Sequence, residues 1–145
     1  MDLSLPTDKK HKSSEKMDVL HILEEATGDK KEAIRTYNAL AELVMNDPDF
    51  RVMRANNTLF MYNNNKDKSA DIAMETADSP RQLIESIKEF RKAMKIAGFK
   101  TGNFEIDNPQ ILKVLKMAGI EITTKPSGGM LDDGVTPHLI GTGEF

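Results

Sequence analysis

Residues 69–124, SADIAMETADSPRQLIESIKEFRKAMKIAGFKTGNFEIDNPQILKVLKMAGIEITT, read as strand, helix, strand, helix, strand, with each helix punctuated at both ends. The sharpest signal is Ser79-Pro80-Arg81-Gln82. Ser79 fits a helix N-cap, Pro80 takes the first helical position, where no N–H is needed, and Gln82 completes an S-x-x-Q box. Leu83, Ile84, Ile87, Phe90, Met94 and Ala97 then form one apolar stripe, with Glu85, Lys88, Glu89, Arg91, Lys92 and Lys95 mainly on the other faces. Gly98 stops this helix. In residues 99–107, Phe104 and Ile106 lie on one side of a strand. Asn108-Pro109 repeats the cap-plus-proline start, Ile111, Leu112, Leu115 and Ala118 supply a second helical stripe, and Gly119 opens a strand over 120–123.

Upstream, FRVMR, TLFMY and ADIAMET have strand character, and Ala55-Asn56-Asn57 between the first two predicts a hairpin, because asparagine tolerates positive φ. The polar NNNKDKS loop turns the chain back into a meander. Further upstream, Val19, Leu20 and Leu23 recur at helical spacing before Gly28. Asp29 with Glu32 makes a capping-box start for a second helix carrying Ile34, Tyr37, Leu40, Ala41 and Val44, which ends near Asn46, before Pro48. The whole predicts an α+β fold: a mixed, mostly antiparallel sheet flanked by about four helices. One domain is expected over residues 15–124, with a flexible N-terminal arm over 1–14. Residues 125–145, KPSGGMLDDGVTPHLIGTGEF, have no helical period and are expected to form an extended tail in which HLIG adds an edge strand.

A chain of 145 residues with 39% hydrophobic and 30% charged residues is long enough to bury one core. No apolar run approaches the roughly 18 residues of a membrane span, and the N-terminus has no apolar signal region, so residence in a cytoplasm or a virion is expected. Zero cysteines exclude disulfides and thiolate chemistry. A net charge of −3 argues against sequence-independent nucleic-acid binding. His11, His21 and His138 have no spacing that predicts shared metal ligands or a nucleophile–base pair. Asp132-Asp133 lacks the regular oxygen ligands of a calcium loop, and no lysine or helix follows Gly128-Gly129 as a phosphate loop requires. No catalytic, cofactor or metal residue is assigned.

The order helix, helix, meander, helix, strand, helix, strand resembles the GCN5-related N-acetyltransferase fold, most clearly in residues 104–122, FEIDNPQILKVLKMAGIEI. The resemblance covers roughly residues 16–124, although no strand is legible before the first helix, where the family usually has one. It implies that the two central strands splay to admit the pantetheine arm of acetyl-CoA, and that a Gly-rich loop with an Arg or Gln holds the pyrophosphate on free helix N–H groups. The matching positions here are Glu75-Thr76-Ala77-Asp78-Ser79-Pro80-Arg81. They contain no glycine; Asp78 brings negative charge, Pro80 removes a donor and Ser79 caps the helix itself. The family's tyrosine acid has no counterpart over 108–118, while Glu75 lies near the position from which some members supply a base.

The leading expectation is therefore a non-catalytic, acetyltransferase-like interaction module with no cofactor, resembling the accessory virion proteins of some tailed bacteriophages. Its tails would order on neighbouring virion subunits or on a second copy, with Met130, Leu131, Leu139, Ile140 and Phe145 as apolar anchors. Removing residues 128–145 should then abolish assembly and leave the monomer folded. The alternative is an acyl-CoA-dependent N-acyltransferase with an atypical cofactor loop, in which Glu75 or a water acts as base.

Overall fold

The computed structural model of the protein describes residues 18–131, 134–135 and 137–145. The expected N-terminal arm, His11, Asp132 and Asp133 lie outside the described residues. Helix α1 (Val19–Thr27) begins where the Asp18 carboxylate accepts from the His21 amide at 2.8 Å, and it ends at Gly28, whose φ of +73° favours a residue without Cβ. Asp29 caps α2 (Lys30–Asn46) by accepting from the Lys31 amide at 2.9 Å. Glu32 does not complete the expected box; it turns outward to Arg35 at 3.0 Å.

Strands β1 (Phe50–Ala55), β2 (Thr58–Asn64) and β3 (Ser69–Thr76) form the meander, with Asn56 at φ +49° in the first turn. Helix α3 (Pro80–Ile96) starts as its cap predicts, with Ser79 Oγ accepting from the Gln82 amide. Strand β4 (Thr101–Ile106) leads into α4 (Gln110–Met117), where the Asn108 side chain accepts from the Gln110 amide at 2.9 Å. Strands β5 (Ile122–Met130) and β6 (Pro137–Glu144) close the domain.

The sheet order is β1-β2-β3-β4-β6-β5, antiparallel throughout except for β3 beside β4. This corrects the reading of the C-terminus. HLIG lies in an interior strand, with β4 on one side and β5 on the other, so residues 125–145 belong to the domain instead of trailing from it. The reason is visible at Gly141 and Gly143. An added Cβ would stand 2.5 Å from Ile122 Cγ2 at Gly141 and 2.6 Å from Ile120 Cγ2 at Gly143. The glycines that weaken this segment's strand signal are what let the neighbouring isoleucines close over it.

Each face of the sheet buries its own cluster. One carries Phe60, Ile72, Phe104 and Ile106 against Leu83, Ile87, Phe90 and Met94 of α3 and Leu115 of α4; the Phe60 and Phe90 rings stack 4.1 Å apart. The other face is covered over β1, β2 and part of β3: Val19, Ile22, Leu23, Ala33 and Leu40 of α1 and α2 pack on Phe50 and Leu59, and α1 also reaches β3. Over β4, β6 and β5 that second face presents Asn103, Glu105, Ile140, Thr142 and Lys125, with Asp71 exposed at the start of β3 and Glu75 half-buried nearer its end. Among the described residues no helix is long and apolar enough to cross a membrane.

Candidate functional site

The site is built where β3 and β4 part. Their parallel ladder consists of four pairs and ends at Ile72 opposite Phe104, although β3 continues to Thr76 and β4 to Ile106. Below that point the strands are pinned by side chains. Asn103 Nδ2 donates to Asp71 at 2.9 Å, and Thr142 Oγ1 donates to Asn103 Oδ1 at 2.8 Å, which ties β3 to β4 and β4 to β6. Above it, Ala73 to Thr76 stay paired with β2 and Glu105 and Ile106 stay paired with β6, so each lip is held by its outer neighbour. The gap between them is a property of the ladder.

Glu75 stands on the β3 lip. Continuing the β3–β4 register beyond Phe104 would set Glu75 opposite Asp107, on one face of the sheet. Burial pushes the Glu75 carboxyl above the ordinary glutamate value, and the nearby negative charge of Asp107 pushes it the same way. Beside the gap, a cleft of about 400 Å³ lies between the apolar wall of Phe50 and Met61 and the polar wall of Asp71, Glu105 and Lys125.

The loop after β3 is closed from inside. Asp78 Oδ2 accepts from Thr58 Oγ1 and from Ser86 Oγ, each at 2.7 Å, and Oδ1 accepts from the Asn57 amide at 3.2 Å. Thr58 and Ser86 are both fully buried. The Ala77 amide donates to Asn57 O, and the Asp78 amide donates to Thr76 Oγ1. Arg54 adds positive charge nearby; burial lowers its pKa, and the charges of Asp18 and Asp78 work against that. A carboxylate of the chain thus takes up hydroxyl and amide donors at the start of α3. The start of α3 therefore presents a carboxylate, and not a set of free donors, to any incoming anion.

One constellation went unread in the sequence. His138 on β6 places Nδ1 2.8 Å from Ser127 Oγ and Nε2 3.2 Å from Asp107 Oδ1. The expectation that no histidine has a nucleophile–base partner is therefore corrected for His138. Ser127 and Asp107 lie 11 and 31 residues from it, and only the placement of β6 between β4 and β5 brings the three together. No local sequence signal marked it, because Ser127 lies where the β5–β6 register breaks after Pro126. His21 is exposed near Asp18 on α1, away from His138. Among the described residues no three His, Asp or Glu side chains are grouped to hold a metal ion.

The expected tail anchors separate. Phe145 is a core residue, 7% exposed, with its ring edge-on to Phe90 and Phe104, so it is not available to a partner. Leu139 packs against the same core, and Ile140 lines the cleft. Leu131 is half-buried, and Met130 is exposed.

No protein-family model matches the chain, and no curated protein sequence matches it. Solved structures do. The microcin C7 self-immunity acetyltransferase, in complex with acetyl-CoA and AMP, superposes with a TM-score of 0.61 at 8% identity, over 87% of this chain and 83% of that one. A probable acetyltransferase of the GNAT family from Chromobacterium violaceum gives 0.60 at 11% identity, over 88% and 79%. The aminoglycoside 6′-acetyltransferase type Ii gives 0.58 at 13% identity, over 86% and 85%. With the splayed central strands and the β4-β6-β5 order, these similarities show that the chain has the fold of the GCN5-related N-acetyltransferases.

Proposed function

We propose that the protein is an acyl-CoA-dependent N-acyltransferase that holds its acyl donor through the β3–β4 lips and not through the start of α3. The observation that carries this reading is the ladder that stops at Ile72 and Phe104 with Glu75 on the open lip. An acyl thioester supplies the activated carbonyl; the chain's task is to take a proton from the attacking amine, since an ammonium has no lone pair to attack with. Glu75, whose burial favours proton uptake, is the base that the lip supplies. The acceptor amine enters from the cleft lined by Phe50, Met61, Glu105 and Lys125.

A second reading, a non-catalytic interaction module that includes association with other subunits of a virion, is favoured by the carboxylate of Asp78 at the α3 start. Calorimetry decides between them. The enzyme reading expects acetyl-CoA to bind and acetyl-pantetheine, which lacks the pyrophosphate, to bind within about tenfold of it. The absence of heat with either ligand at millimolar concentration would leave the module.

A further inference from the structure

Ser127, His138 and Asp107 stand in the order in which a nucleophile, its base and the group that orients the base are arranged. The β5–β6 ladder is regular up to Pro126 opposite Leu139 and resumes only at Met130 opposite Pro137. Ser127 therefore opens an irregular stretch in which Gly128 has φ +95°, and its side chain is free to meet the imidazole. The Gly129 amide donates to Ser127 Oγ at 3.2 Å and fixes the oxygen from the other side. The His138 side chain is 21% exposed, sheltered on its strand, whereas Asp107 is 71% exposed. With Nε2–H donating to Asp107, Nδ1 is left as an acceptor for the Ser127 hydroxyl; one tautomer satisfies both contacts.

We propose that Ser127 is an activated hydroxyl that accepts acyl groups from activated esters, with His138 as its base and Asp107 as the positioning residue. Ser127 Oγ attacks the acyl carbonyl carbon, and its proton passes to His138 Nδ1. The bond from that carbon to the leaving oxygen breaks, and the leaving group departs with the proton. The product is an ester on Ser127, which water cleaves with the same base, regenerating the serine and releasing the acid. This chemistry runs on oxygen esters and does not use Glu75; Asp107 also acts on Glu75, so labelling of Ser127 and its dependence on His138 are what separate it from the acyl-CoA reading.

The test uses the full chain and p-nitrophenyl acetate, with release of nitrophenolate followed in the spectrometer and acetylated peptides located by mass spectrometry. Acetyl is expected on Ser127, formed about 100-fold more slowly in His138→Gln, the lower end of what a positioned base contributes. Asp107→Asn should slow it at least severalfold, and Ser127→Ala, an exposed change, should remove the early phase of release. Circular dichroism of each variant verifies that it is folded. Acetyl found only on lysines, or Ser127 labelled at the wild-type rate in His138→Gln, would overturn the proposal.

Discussion

Replacing Asp78 by alanine separates what this residue does for the fold from what it does to the site. The carboxylate accepts three hydrogen bonds, two of them at 2.7 Å from the buried hydroxyls of Thr58 and Ser86. Hydrogen bonds to a charged group contribute about 1.5–3 kcal/mol each, but the three do not simply add. Without Asp78 the Ser86 hydroxyl can turn its proton to Gln82 O, 3.1 Å away, and Thr58 Oγ1 stays paired with Thr76 Oγ1 at 2.6 Å, so both hydroxyls keep a partner. The expected loss is therefore about 2–4 kcal/mol, read as a lower urea midpoint with an unchanged slope. For a domain of this size that corresponds to a fall in Tm of roughly 6–12 °C. Acetyl-CoA affinity should move the other way, rising about tenfold as a negative charge leaves the positive end of α3. A variant that loses less than about 0.5 kcal/mol, or that is destabilised as expected yet binds acetyl-CoA no better than wild type, would refute the assignment of Asp78 as the group that closes the loop.

Gly143→Ala should cost about 1–3 kcal/mol in a denaturant titration, because the new Cβ would meet Glu121 O of the backbone at 2.8 Å as well as Ile120 Cγ2. Phe145→Ala, which empties a site between Phe90 and Phe104, should cost about 3 kcal/mol, and deletion of residues 137–145 should leave an unfolded or aggregated chain, since it removes an interior strand; a folded monomer by circular dichroism would contradict the placement of β6. Glu75 carries a pH dependence of definite sign. Its folded pKa lies above the ordinary 4.5, so its favourable contribution is full below that value and is lost as pH rises through the folded pKa. Glu75→Gln should accordingly raise the urea midpoint at pH 7 relative to wild type, with the gain vanishing near pH 4; an equal gain at both pH values would show that the carboxyl is not perturbed.

The elements that were legible in the sequence are those whose cause is local. Ser79 and Gln82 are three residues apart and meet in one helical turn; Asn56 carries the turn conformation in its own backbone. The meander was readable because its strands follow one another with short connections. A strand at HLIG was legible but its interior place was not, because the glycines that follow are explained by Ile120 and Ile122, which approach only once β5 lies alongside. The same distance in sequence hid the site. The closure of the loop by Asp78 could be anticipated from charge and a proline, but its partners Thr58 and Ser86, and the pairing of His138 with Ser127, required the sheet order first.

An open gap beside a closed loop sets a magnitude for any acyl-CoA binding. If the pyrophosphate is not gripped, affinity rests on the acyl-pantetheine arm, which has about 20 non-hydrogen atoms. At the roughly 0.3 kcal/mol per atom reached by ligands of that size, the lips can supply about 6 kcal/mol, a Kd of tens of micromolar. That is weak for a ligand that also carries a nucleotide, yet within the range of enzyme KM values. The enzyme reading thus requires that most of the affinity survive removal of the nucleotide, and that it depend on the width between Ala73 and Glu105. Ala73→Leu, which narrows the gap from the face that Glu75 shares, without touching Asp78, should weaken acetyl-CoA by at least tenfold and cost less stability than Asp78→Ala. Affinity that is indifferent to this change but abolished by Arg81→Ala would move the binding site to the start of α3, and the closure of that loop by Asp78 would then have to open in solution.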